Sequence, residues 1–535
     1  MVWGPCDWTT VTKTPIAIYD TTLRDGLQGS GMSLSVEDKV QTARKLDELR
    51  FDYIEGGWPG SNPKDIEFFQ RIQTVPLRYA KIAAFGSTRK KDTPAENDPN
   101  LRLLIEANAP VVTIFGKSSP FQVAEALQTT PEENLRMISD SVKFLGQHGK
   151  EVIYDAEHFF DGFQQDRDYA LCSLRSAHAA GARYLVLCDT NGGTDFPVLA
   201  EIVRDVNKQF PGARIGIHAH NDMGYGVANS MAAVYEGVQM VQGTINGVGE
   251  RVGNANLVTI AANLFKNEFP TKGNIDVGQL KNLSSLVYEL ANLPADIRQP
   301  YVGDAAFAHK GGVHVDAVLK NPRLYEHIDP EAVGNRRHFL VSDLAGTAHV
   351  QALEGFGINK KDALAREIVE KIKKLEHEGY VFEAAEGSLE LLVRAARGEQ
   401  TSIFDLIEYR TDVIRKSEGG LESTAIVRIR VNGEEVTKLA YGDGPVNALD
   451  LALRSALTSK YPELAELRLD DYKVRIIPEQ RGTAAKVRVL IESKLGDKRF
   501  GTVGVDENIV EASWRALVES FNYAHLLIRS ANPRA

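Results

Sequence analysis

The sequence is poor in cysteine, in positive charge and in long apolar runs, and each shortage removes a class of function. The three cysteines among 535 residues, Cys6, Cys172 and Cys188, are odd in number and far apart. They make neither a disulfide framework nor a C-x-x-C metal pair, and they suit a reducing compartment as small buried apolar groups. Lys and Arg number 62 against 72 Asp and Glu, a formal charge of -10, which argues against nucleic acid or an anionic membrane surface as a partner. No stretch approaches the roughly 18 consecutive apolar residues that span a bilayer. The opening MVWGPCDWTTVTKTP lacks the basic and apolar regions of a secretory signal, so a cytoplasmic protein is expected. A Walker lysine is missing, as is a strand running into G-x-G-x-x-G with a downstream acid, which leaves nucleotide hydrolysis and Rossmann-type binding without support.

What remains is average globular usage, and the length suggests two or three domains. From Ile16 to about Ala261 short β-branched runs alternate with stretches of helical spacing, such as VEDKVQTARKLDEL and DYALCSLRSAHAAGA, the signature of βα repetition. Strands are predicted at 17–20, 53–56, 81–86, 111–115, 151–156, 184–189, 215–218 and 240–244. Eight strands separated by helical crossovers read as a (β/α)8 TIM barrel of the α/β class, with an open doubly wound sheet as the alternative. We expect the catalytic barrel to occupy residues 1–270, helical lid and linker segments 271–398, and an α+β regulatory domain 399–535. Within the regulatory domain a pair of alternating strands joined at Asn432-Gly433 precedes a helix, and the pattern then repeats, with GDGPVNALDLAL and GVDENIVEASWRAL as matching strand-to-helix junctions. The closing RSANPRA reads as a frayed tail.

Barrel enzymes gather their functional groups at the C-terminal ends of the strands. The polar residues there are Asp20, Glu55, Asp155 with Glu157, Asp189 with Thr190, and His218 with His220. His218 and His220 stand two apart and so face the same side. They form either a metal-binding pair or two hydrogen-bonded strand-end imidazoles. The first strand ends in Tyr19-Asp20-Thr21-Thr22-Leu23-Arg24-Asp25-Gly26. There Asp25 can ligate a cation and Arg24 grip a carboxylate or enolate-like oxygen, unless the two are only a local ion pair. The loop Gly247-Val248-Gly249-Glu250-Arg251-Val252-Gly253-Asn254 allows a close backbone approach to a ligand. Glu157 is a candidate proton-transfer group. The segment Ala308-His309-Lys310-Gly311-Gly312-Val313-His314 followed by Tyr325 is rich in groups that donate or titrate, and could form a lid.

The motifs YDTTLRDGLQ, IEGGWPGSNPKD, AEHFFDG, CDTNGG, IHAHNDMGYGVANS and GVGERVGNANL, in this order, closely resemble the acyl-CoA condensing enzymes of the 2-isopropylmalate, homocitrate and citramalate synthase family. The resemblance covers nearly the whole chain. IEGGWPGSNPKD and DAEHFFDGF are most similar to those of the long citramalate synthases, whose C-terminal half carries an amino-acid-sensing domain. The resemblance implies that Asp25, His218 and His220 hold a divalent metal (Mg, Mn or Zn), with Asn254 a weaker ligand. It implies that Arg24 holds the 2-oxo acid and that Thr190 binds its carboxylate; Asp155, closing the fifth strand, is a further candidate for substrate binding. Glu157, His314 and Tyr325 match catalytic positions, the last two on a lid. The implied reaction joins acetyl-CoA to pyruvate in a Claisen-type condensation, giving citramalate for isoleucine synthesis. A homodimer is implied, with isoleucine as feedback inhibitor.

Three rivals are weighed against this reading. One is 2-isopropylmalate synthase, acting on 2-oxoisovalerate. Hydroxymethylglutaryl-CoA lyase shares the RDGLQ segment, but its loop cysteine is missing from GVGERVGN and it lacks the long C-terminal half. The third is a non-catalytic amino-acid sensor.

Overall fold

The structure, a computed structural model, describes residues 14–339, 363–382, 385–415, 417, 419–477, 485–496 and 498–531. Cys6, the opening residues and the end of the RSANPRA tail lie outside the described residues. The chain divides into two compact units, one running through Phe307 and including Ile328–Arg336, the other made of Ala308–His327 and the residues from Arg337 onward.

The first unit is a closed eight-stranded parallel barrel. Its strands are β1 (Ala17–Asp20), β2 (Tyr53–Gly57), β3 (Lys81–Ser87), β4 (Val111–Lys117), β5 (Glu151–Glu157), β6 (Tyr184–Asp189), β7 (Ile215–Ala219) and β8 (Met240–Gly243). Each lies within two residues of its predicted span. β1 pairs with both β2 and β8, so the sheet closes and the open doubly wound alternative is excluded. Around it run α1 (Val36–Glu48), α2 (Pro63–Ile72), α3 (Pro99–Glu106), α4 (Pro120–Glu125), α5 (Pro131–Gln147), α6 (Phe159–Gln165), α7 (Arg167–Ala179), α8 (Phe196–Gln209), α9 (Gly226–Tyr235) and α10 (Leu257–Lys266).

Helix starts follow local chemistry. Ser35 and Asp38 form a reciprocal capping box on α1, and proline occupies the first turn of α2, α3, α5 and α8, where a missing N–H costs nothing. A large apolar layer lies between strands and helices. A smaller one, including Tyr19, Tyr53, Ile153, Val186 and Met240, fills the barrel interior, so the barrel is packed rather than hollow. Beyond β8, α11 (Leu280–Leu290) buries Leu280, Leu283 and Val287 in the outer apolar layer.

In the second unit α12 (Gly312–Lys320) follows the two-residue strand β9 (Ala308–His309), which pairs with β10 (His338–Phe339). The predicted KKDALAREIVEKIKKLEHEGY helix is α13 (Ala363–His377), its first residues lying outside the described ones. It shares a core with α14 (Glu386–Ala396). Two antiparallel three-stranded sheets then follow, β11 (Asp405–Arg415), β12 (Leu421–Val431) and β13 (Glu434–Gly442), then β14 (Arg468–Ile476), β15 (Val487–Leu495) and β16 (Lys498–Asp506). Each sheet is followed by a helix, α15 (Pro445–Thr458) and α16 (Ile509–Ala531). The duplication is thus real, but each repeat holds three strands where two and a helix were expected. The extra strand β11 is an edge strand with a bulge at Leu406/Glu408 and no buried residue. It therefore carries no apolar alternation to announce it. Among the described residues no helix is long and apolar enough to cross a membrane.

Candidate active site

Alternate residues of a strand point to opposite faces. Because Tyr53, Ile153 and Met240 line the barrel interior, the same face carries Glu55, Asp155 and Gln242 at or near the C-terminal strand ends, with His218 in register beside Gln242. All four are buried. The mouth of the barrel is therefore a polar layer seated on an apolar plug.

At its centre stand Asp25, His218 and His220. One carboxylate oxygen and two ring nitrogens lie within 4.8 Å of one another. Asp25 Oδ2 is 3.4 Å from His218 Nε2 and 3.9 Å from His220 Nε2, and the two Nε2 atoms are 3.4 Å apart. Burial would raise the Asp25 carboxyl, but Arg24 and the two histidines outweigh it and hold it well below the carboxylate range. Burial, with His218 alongside, lowers His220 to about 4, so its ring is a neutral donor. Asn254 is buried and bridged to His220 through the backbone, and its Oδ1 finds no hydrogen-bond partner among the described residues. One anionic oxygen, two imidazoles and an orphaned amide oxygen suit a hard-to-borderline divalent cation.

The loop after β8 needs its glycines. A Cβ on Gly253 (φ 99°) would sit 1.9 Å from Gly247 O, and one on Gly249 (φ 156°) 2.2 Å from Asn254 Nδ2.

Arg24 leaves the first βα loop beside this cluster. Its Nε donates to Glu55 Oε1 at 2.6 Å, Nη1 lies 3.4 Å from Asp25 Oδ2, and the guanidinium carbon sits 3.7 Å above the Phe85 ring. Burial works against its charge, yet Glu55 and Asp25 raise its pKa above the ordinary value. The local ion pair with Asp25 exists, but the stronger clamp is Glu55, to which the sequence alone assigns no role. Its signal is visible there: an acid closing a strand whose interior neighbour is Tyr53. Phe85 and Gln242 also go unmarked in the sequence, although both hold inward positions at strand ends.

The other predicted residues fall as follows. Asp155 Oδ1 accepts from Gln242 Nε2 at 3.0 Å, and burial, with Glu55 adding, pushes its carboxyl up to about 7. Glu157 pairs across β4 and β5 with Lys117. Thr190 Oγ1 accepts from the backbone N–H of His158 at 2.8 Å, a residue held at φ 54°. His314 and Tyr325 stack on one another, ring centroids 4.2 Å apart. They belong to the second unit, where Tyr325 is half exposed.

A parallel barrel with a carboxylate–imidazole cluster at its mouth defines the class: residues 15–287 match the HMGL-like family. Residues 301–380 match the homocitrate synthase post-HMGL domain-like family, and residues 383–525 the LeuA allosteric (dimerisation) domain. The chain is 51% identical over 513 residues to the (R)-citramalate synthases of Aquifex aeolicus and of Geobacter sulfurreducens, spanning 95% of this chain and 97% of each of those. A probable 2-isopropylmalate synthase of Methanopyrus kandleri is 33% identical over 509 residues, 95% of this chain and 98% of that one. The chain belongs to the citramalate synthase family and is an enzyme of that type.

Proposed function

We propose that this enzyme condenses acetyl-CoA with pyruvate to give citramalate and CoA. What carries the reading is the buried Asp25, His218 and His220 cluster beside a clamped Arg24, in a chain similar to citramalate synthases over 95% of its length. Asp25, His218 and His220, with Asn254, would hold the divalent ion. When bound, the ion supplies positive charge against the keto oxygen of the 2-oxo acid.

Arg24 holds that acid, and its guanidinium neutralises charge as the keto oxygen becomes an alkoxide. Thr190 and Asp155 orient the substrate. A base removes a proton from the acetyl methyl, a carbon–carbon bond forms to the keto carbon, and the alkoxide takes up a proton. Water then cleaves the thioester, releasing CoA as its thiol. His314 is the proposed base, with Tyr325 and Glu157 completing the proton-transfer set; loss of such a group costs about 10²- to 10⁴-fold in rate.

The test is thiol release from acetyl-CoA by the metal-loaded protein with pyruvate or 2-oxoisovalerate. Preference for pyruvate supports the reading, whereas preference for 2-oxoisovalerate moves it to isopropylmalate synthesis. Silence with both returns the lyase and sensor readings.

We also infer that the protein is a cytoplasmic homodimer inhibited by isoleucine through the β11–α16 repeats. The match of residues 383–525 to an allosteric (dimerisation) domain supports this. Isoleucine titration of the full chain tests it, with leucine as comparison; indifference to isoleucine removes the proposal.

A further inference from the structure

Gln242 lies wholly buried on β8, in register with His218 on β7 and Tyr19 on β1. Its amide stands between two side chains. Nε2 donates to Asp155 Oδ1 at 3.0 Å, and Oε1 lies 3.0 Å from His218 Nδ1.

A primary amide has one donor end and one acceptor end. The end turned to Asp155 must donate when that carboxyl is ionised, so the end turned to His218 then accepts. His218 can satisfy that acceptor only with a hydrogen on Nδ1, so in the neutral ring the lone pair lies on Nε2, which faces Asp25 and His220 and which a cation between them would take up. The other tautomer would set a bare Nδ1 against Oε1, two acceptors at contact in a buried site, which is costly. The relay runs from β5 through β8 to β7, so three strands fix one ring.

We propose that Gln242, backed by Asp155, is a positioning residue that selects the His218 tautomer able to ligate a metal through Nε2. The inference deepens the reading that Asp25, His218 and His220 hold a divalent ion, and rests on it. An outer partner that orients a ligating histidine is ordinarily worth 10- to 100-fold in metal affinity.

Cobalt(II) titration of the full-length protein, followed by its visible absorption and without substrate, separates the possibilities. Gln242→Leu keeps the charge and approximate volume but removes both hydrogen bonds, and should weaken cobalt binding by about 10- to 100-fold. The exchange D155N/Q242E keeps the net charge and rebuilds the relay in reverse: the new carboxylate accepts from His218 Nδ1 and from the new amide. It should recover affinity to within about threefold of wild type, with the wild-type absorption spectrum. A purely space-filling role predicts unchanged affinity in Gln242→Leu, whereas the positioning role requires its loss there and wild-type-like binding in the exchange variant. Unchanged affinity in Gln242→Leu, or an exchange variant that folds and still binds weakly, overturns the positioning role. Failure of the wild-type protein itself to bind cobalt overturns the metal site and this inference with it.

Discussion

Glu55 Oε1 accepts the Arg24 Nε hydrogen at 2.6 Å, while Glu55 Oε2 accepts from the Tyr19 hydroxyl at 2.7 Å. A carboxylate on β2 thereby fixes a guanidinium that leaves the loop after β1. The pair is nearly dry, with Arg24 11% exposed and Glu55 fully covered. Glu55→Gln keeps the shape and loses the charge. Hydrogen bonds to charged groups contribute about 1.5–3 kcal/mol, so kcat/KM for pyruvate should fall roughly 10- to 100-fold. Steady-state kinetics that match wild type would mean Arg24 does not depend on this clamp.

Arg24→Lys preserves the charge but not the planar fork that reaches Glu55 and Asp25 together. Loss of a group poised against developing negative charge costs about 10²- to 10³-fold in kcat. Near-normal turnover in the lysine variant would reduce Arg24 to a structural role.

Asp25→Ala and His220→Ala each remove one donor from the central cluster. Both should lose stoichiometric divalent-ion binding, measured by equilibrium dialysis with metal analysis, together with turnover. Retention of a full equivalent of metal in either variant would refute the ligand assignment.

Glu519 on α16 hydrogen-bonds Ser388 on α14, and burial pushes its carboxyl up to about 7 from the ordinary 4.5. Below about pH 4.5 the folded and unfolded chains both keep the proton, and the residue leaves stability unchanged. Between about pH 4.5 and 7 only the folded chain keeps it, so stability falls as pH rises, by about 3 kcal/mol in all. Above about pH 7 the loss is complete. Glu519→Gln should abolish this slope, as read from urea unfolding near pH 5 and near pH 8. Equal pH dependence in the two proteins would show that Glu519 ionises freely when folded.

The barrel was legible because its strands are short β-branched runs between helical stretches, and even their ends fell within two residues. The central cluster was legible for a related reason: H-x-H at the end of one strand and Arg-Asp at the end of another are distinctive in type and position. What escaped were partners rather than principals. Glu55 closes a strand as visibly as Asp20 does, but no local pattern says that it faces Arg24, 31 residues earlier. Gln242 sits inside an apolar run, and only closure of the barrel brings it against His218 and Asp155. Edge strand β11 escaped because it buries nothing on its own. His314 and Tyr325, read as neighbours in a lid, do stack on one another.

The seam between β1 and β8 has a consequence for biosynthesis. Thr21 Oγ1 donates to Gly243 O across 222 residues of chain, and the backbone N–H of Ile245 donates to Thr22 Oγ1 across 223. Asp25 lies on one side of that seam, while the two histidines arrive at the end of β7 and just beyond it. A ribosome that has released only the first half-barrel has therefore made the carboxylate and the guanidinium without their imidazoles. Until β8 slots in, the nascent chain also keeps two unpaired parallel edges that must stay apart from other chains, a slow, long-range closure of the kind that exposes folding intermediates to aggregation.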